Sequence, residues 1–259
     1  MYHNSAYGKE PIRTLELLSK KHGFEFSAIP VDHPGQEQKS QWLQIRRERP
    51  DFILMWGWGV MNSVAIQEAS NIRFPMENFI GVWWSGSEND VVPAGMAANG
   101  YKSLAMHAPG SDYGIYDQLK QHIYDKGKSA GAGDQIGSVL YNRALYIAFL
   151  THMAIEKAQE VTGVADISQA DMIKGMEALN ITDALMAEHG LAGFAPSFSV
   201  SCENHGGGGL GAVQQWDAAA KTWTLISDFI EADMELIAPL ITEDSEAFAK
   251  ENNLSMRCG

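Results

Sequence analysis

Two kinds of hydrophobic pattern alternate through the first hundred residues, and this constrains the fold more than any other feature of the chain. Phe52 to Trp56 (FILMW) and Phe79 to Trp84 (FIGVWW) are short, nearly continuous apolar runs. Such runs suit strands buried inside a parallel sheet. Between them the spacing turns helical. Ile12, Leu15 and Leu18 recur on one face up to Lys21, and Gly23 ends that helix. Gln38 to Glu48 predicts a second helix with Trp42 and Ile45 inward, and Met61 to Ser70 a third. Phe24 to Val31 predicts a strand, and Tyr2-His3-Asn4 the end of another, feeding a turn over Ser5 to Gly8. Strand and helix at this spacing predict an α/β fold with a parallel sheet covered on both faces.

The pattern then changes. Gly100 to His107 predicts one more strand. Residues 111–190 read as all-helical, with the longest stretch from Val139 to Val161 and another from Asp166 to Leu179. After Gly193 the chain turns β-like again at Phe198 to Val200, Ala212 to Trp216 and Thr222 to Ile226, with a hairpin between Trp216 and Trp223. Ala232 to Asn253 reads as a polar, partly helical tail.

Composition narrows the function classes. Nineteen Lys and Arg against 32 Asp and Glu leave a net charge of −13, which argues against nucleic acid and anionic membrane surfaces as partners. The best apolar stretch, Ala144 to Ile155, is shorter than the ~18–20 residues that span a bilayer and contains His152. Met1-Tyr2-His3-Asn4 has neither the basic nor the apolar region of a secretory signal. Gly206 to Gly209 lacks the Lys-Ser/Thr of a phosphate loop. Cys202, Glu203 and His205 superficially resemble a metal cluster, but no second His follows at ligand spacing. No nucleophile elbow, H-E-x-x-H or dinucleotide fingerprint supports catalysis, so no enzyme activity, metal or cofactor is expected.

Several steps, in order along almost the whole chain, carry a resemblance: Ser5-Ala6-Tyr7-Gly8-Lys9 opening a helix after a strand, Arg49-Pro50-Asp51-Phe52-Ile53 followed by Gly57, Phe79-Ile80-Gly81, Tyr141-Asn142-Arg143-Ala144 at the start of a long helix, and Val213-Gln214-Gln215-Trp216-Asp217. Together they resemble type I periplasmic solute-binding proteins, closest to the branched-chain amino acid (Leu/Ile/Val) binders of ABC transporters. The resemblance implies two α/β lobes with the ligand between them and closure on binding that a membrane permease recognises. It implies a periplasmic location and no membrane insertion. It begins in the second lobe, so a signal sequence and the first half of lobe one are expected upstream of Met1. On this reading residues 1–106 are lobe two, 107–190 the helical remainder of lobe one, and 191–259 a return to lobe two with the late hairpin and tail. Cys202 and Cys258 could then pair in an oxidising compartment.

In open parallel sheets ligands bind outside the C-terminal ends of the strands. Three such ends offer candidates. Tyr7 matches a ligand-contacting tyrosine of the family, and Trp58 lies near its aromatic contact. The third end carries Trp83, Trp84 and Ser85, with Glu88 just beyond. The amino acid binders place a carboxylate near the position of Trp83, and this chain has indoles there, with Glu88 in reach only if its loop folds back. An aromatic wall of this kind suits an apolar, aromatic or amino acid-like small molecule. A ligand-sensing receptor or regulator on the same fold, separable by gene context, and a doubly wound α/β enzyme are the alternative readings.

Overall fold

A computed structural model describes residues 1–255 and 258. The chain divides into two compact units: residues 1–110 with 212–228, and residues 111–211 with 229–259.

The first unit starts with β1 (Tyr2–His3), α1 (Ala6–Lys9), α2 (Ile12–His22), β2 (Pro30–Val31), α3 (Lys39–Glu48), β3 (Ile53–Met55) and α4 (Val60–Asn71). It continues with β4 (Phe79–Gly81), α5 (Glu88–Val91) and β5 (Lys102–Ala105). β1 pairs in parallel with β2, β3 with β4, and β4 with β5. A parallel bridge from Tyr2 to Trp56 joins the two parts. The expected alternation is present, but the elements are shorter than the runs that code for them. Of Phe24 to Val31 only the last two residues are strand. The strand from Phe79 stops at Gly81, and Trp83–Ser85 form a 3-10 turn instead.

The packed face of this sheet follows from strand alternation. Ile53 and Met55 are buried while Leu54 between them is 44% exposed; Ser103 and Ala105 are buried while Leu104 is 39% exposed. Ile53 sits opposite Phe79, and Phe79 meets the Trp42 ring of α3 edge-on at 5.7 Å. Gln38, at the N-cap of α3, accepts from the Trp42 indole (3.1 Å) and donates to the carbonyls of Gly35 (2.6 Å) and Met61 (2.8 Å), tying α3 to α4. The other face departs from the expected cover. α2 buries none of its residues. Its Ile12 and Leu15 stand across a groove of about 720 Å³ from Leu54 and Ile80, so their apolar stripe lines open space rather than a packed sheet.

The second unit contains α6 (Gly114–Leu119), α7 (Val139–Thr162), α8 (Gln169–Glu177), β6 (Asn180–Ile181), α9 (Asp183–Glu188) and β7 (Phe198–Ser199). It is not wholly helical to residue 190 as the pattern suggested: β6 pairs antiparallel with β7. Its core joins Phe149, Met153 and Ala154 of α7 to Leu179, Ile181, Met186, Leu191 and Phe194. The next strand, β8 (Leu210–Asp217), begins in this unit and passes into the first. There it runs antiparallel to β5 and turns through Ala218 to Lys221 into β9 (Thr222–Leu225), as the hairpin pattern predicts. Only 212–228 joins the first unit, because its strands complete that unit's sheet. β10 (Ile230–Glu231) pairs with the Leu210–Gly211 end of β8, and α10 (Met234–Glu251) follows in the second unit. Cys202 and Cys258 form a disulfide, Cα to Cα 5.7 Å. Glu177 lies beside both sulfurs, but bonded cysteines offer no thiolate to a metal ion.

Candidate functional site

The C-terminal ends of β1, β3 and β4 meet at a single carbonyl, that of Gly57. The Ser85 hydroxyl lies 2.8 Å from it, and the Tyr7 hydroxyl donates to it at 3.4 Å. Tyr7 belongs to α1, which Ser5 caps by accepting from the Gly8 amide at 3.3 Å. Burial, and then the charge of Glu10, push the Tyr7 phenol well above its ordinary range, so it acts as a donor at any physiological pH. Its ring leans on Trp56 at 6.4 Å.

Two indoles stand at this rim with much of their surface in the open: Trp58 is 50% exposed and Trp84 45%. Trp83 and Trp84 lie against each other, ring centres 4.4 Å apart and planes tilted by 36°. Larger exposed apolar patches mark places where an apolar partner is received. Trp58 also meets the ring of His3 edge-on at 5.9 Å. Glu88 is the first residue of α5 and half-buried.

Ser85 occupies a different place from the one its position in the sequence suggested. It is fully buried, with its hydroxyl between Gly57 O and Asn62 Oδ1 (3.1 Å). It supports the loops that carry the tryptophans and does not face the rim. Sequence reasoning passed over Asn62, although the signal was present: a lone amide on the inward face of α4, beside Met61, Ala65, Ile66 and Ala69, all buried. His3 was read only as part of a strand end. It is 4% exposed, its Nδ1 lies 2.9 Å from the Ser5 hydroxyl, and its Nε2 has no hydrogen-bond partner among the described residues. Burial, and next the neighbouring His33, lower its pKa, while Asp32 opposes the shift.

Close approach dictates two glycines here. A Cβ on Gly57 would fall 2.7 Å from Asn62 Oδ1, and one on Gly86 would fall 2.0 Å from Ser103 Oγ. The groove of about 720 Å³ is a separate feature. It lies against α2 and the start of β3, and none of Tyr7, Trp58, Trp83, Trp84, Ser85 or Glu88 lines it. Among the described residues no helix is long and apolar enough to cross a membrane.

Comparison with known proteins identifies the family. Residues 1–221 match the periplasmic binding protein family. A structure described as an ABC transporter permease from the Pseudomonas fluorescens group is 44% identical, with a TM-score of 0.92 over 99% of this chain and 62% of its own. A branched-chain amino acid ABC transporter protein from Thermus thermophilus with bound valine has a TM-score of 0.70 at 14% identity, over 90% of this chain and 60% of its own. A solute-binding protein from R. palustris in complex with benzoate has a TM-score of 0.62 at 14% identity, over 89% and 58%. The chain thus spans about three fifths of the length of these structures. The comparison with curated proteins returned no match. The family match over residues 1–221 and a 44% identical relative of the same fold agree: the chain belongs to the periplasmic binding protein family and has its mixed α/β, parallel-rich type I fold.

Proposed function

We propose that this chain is part of the extracytoplasmic solute-binding component of an ABC importer, and that it takes a small apolar, aromatic or amino acid-like ligand. The observation that carries the reading is the pair of exposed indoles, Trp58 and Trp84, at the C-terminal ends of parallel strands in a protein of this family. Tyr7, Trp58, Trp83 and Trp84 form a wall of the site, with Glu88 at its edge. Ser85 belongs to it as a support. The first unit is assigned to the second lobe of the family fold and the second unit to the remainder of the first lobe. The protein acts by binding and not by turnover, in the periplasm, and its macromolecular partner is the membrane permease. That related structures hold valine and benzoate supports a small-molecule site of variable chemistry on this fold.

Binding to the indole wall is tested by calorimetry on the full-length polypeptide, with leucine, valine and benzoate as probes. Trp58→Ala is expected to weaken binding by more than about 1 kcal/mol, since aromatic contacts carry ~0.5–1.5 kcal/mol beyond the area they bury. Unchanged affinity would remove Trp58 from the wall. The lack of a carboxylate at Trp83 predicts that benzoate binds more tightly than leucine or valine; the reverse order would overturn the apolar or aromatic preference.

A further inference from the structure

The tryptophan loops rest on a buried chain of polar side chains that the wall itself does not explain. Asn62 Nδ2 donates to Asp90 Oδ1 at 2.7 Å and to the Trp84 carbonyl at 3.1 Å. Asn62 Oδ1 lies 3.1 Å from the Ser85 hydroxyl, which also reaches Gly57 O. Asp90 Oδ2 accepts from the Ser87 amide (2.8 Å) and hydroxyl (2.7 Å). The Tyr101 hydroxyl donates to the Ser85 carbonyl at 3.0 Å. Gln214 of β8 donates to the Gly86 carbonyl at 2.8 Å and to Ser103 Oγ at 2.9 Å. Asn62, Ser85, Ser103 and Tyr101 are fully buried, and Ser87, Asp90 and Gln214 nearly so.

Four neighbouring backbone carbonyls, those of Gly57, Trp84, Ser85 and Gly86, are therefore each held by a side chain from another part of the chain. Three of these sit in or beside the residues that present the indoles: Gly57 precedes Trp58, Trp84 is itself one of the pair, and Ser85 follows it. Neither loop has strand pairing at that point, because β3 ends at Met55 and β4 at Gly81. Without ladder hydrogen bonds, the side chains fix where each loop runs. In a buried setting a hydrogen bond that cannot be exchanged for one with water is a strong positional constraint. Asn62 ties the loops to α4: it reaches Trp84 O directly and, through Ser85, Gly57 O.

We propose that Asn62 is a positioning residue of the ligand site: from α4 it locks the Trp58 loop and the Trp84 loop into one body, so that the aromatic wall is preformed. This rests on the reading of Trp58 and Trp84 as the wall. The consequence for the ligand is a rigid, flat-sided one. A wall that need not be ordered on binding loses less conformational entropy and selects by shape.

The test follows the indoles directly and needs no ligand. The whole chain is labelled with 5-fluorotryptophan and its seven tryptophan resonances are assigned by single Trp→Phe changes. In Asn62→Leu the Trp58 and Trp84 resonances are expected to shift and lose their sharpness, while Trp42 and Trp223, both in the core, keep theirs. Adding Asp90→Asn removes the carboxylate left without its amide. It is expected to recover thermal stability without restoring the two resonances, which a purely structural role would restore together. If Asn62→Leu does not fold, Ser85→Ala, which breaks the link at Gly57, decides by the same criterion with Trp58. Sharp, unshifted Trp58 and Trp84 signals in a less stable variant would overturn the proposal. Failure of the unaltered chain to bind valine or benzoate, with the Asn62→Leu resonances disturbed as expected, would instead count against the wall, so the two failures are told apart.

Discussion

His3 shows how a single residue carries a consequence beyond the site. It is buried between His33 and Trp58, its Nε2 lacks a partner among the described residues, and its pKa is lowered from 6.5 chiefly by burial. The folded state therefore resists a proton that the unfolded chain accepts. Below about pH 6.5 the unfolded state binds more protons, so stability is complete above that pH and declines as the pH falls below it. His3→Asn is expected to flatten this acid slope, measured as denaturation midpoints between pH 7.5 and pH 5; an unchanged slope would show that His3 does not set it. Ser85 and Asn62 teach the complementary lesson. Both lie within the candidate region, yet what each does is set by which carbonyl it reaches. The sequence marks Ser85 only as a polar residue after two tryptophans. Its burial beneath Gly57 comes from the turn at Trp83–Ser85, where the Ser85 amide bonds the Val82 carbonyl at 2.8 Å.

At the scale of elements, helices were legible and strands were legible only as centres. Helix ends carry their own chemistry, and α8 is an example. Ser168 accepts from the Asp171 amide, and Asp171 in turn accepts from the Ser168 amide at 3.1 Å. Ser168→Ala is expected to cost about 1 kcal/mol, read from urea denaturation. α3 illustrates packing. Trp42 is 1% exposed, against Phe79 and hydrogen-bonded to Gln38. Trp42→Ala is expected to cost roughly 3–5 kcal/mol through the cavity it leaves, and a loss under 1 kcal/mol would show that the site collapses. Strands have no such local signals at their ends. Phe24 to Ile29 has strand composition but only Pro30–Val31 pairs, because pairing is decided by the neighbour β1, which is two residues long.

The whole molecule is a chain that leaves its first unit after residue 110 and returns to it only for 212–228. The disulfide links residues 56 apart in sequence, and the return through 212–228 lies wholly inside the loop it closes. Loop-closure entropy for a loop of this length is worth about 4 kcal/mol. Cys202→Ser is thus expected to lower the unfolding midpoint of the second unit, and reducing agent to lower that of the unaltered chain but not of the variant. Equal midpoints with and without reductant would mean the bond contributes nothing. Recognition of a periplasmic binding protein survived this interleaving because its motifs are local and keep their order. Residues 191–211, which pack in the second unit, carry no local mark of it.

What the sequence determined by itself is the set of local commitments: helices from 3.6-residue spacing and caps, strand centres from apolar runs, the hairpin from Trp216 to Trp223, the aromatic cluster, and an acidic charge that argues against nucleic acid and anionic membrane surfaces. These follow from interactions between near neighbours, which spacing encodes. Only the tertiary structure decided which face of the sheet is packed, where the chain crosses between units, that Cys202 meets Cys258, and that Asn62 and Ser85 converge on Gly57 and Trp84. Those depend on groups from 22 to more than 100 residues apart being brought within a few ångströms. No local pattern specifies such a meeting; the burial of the groups between does.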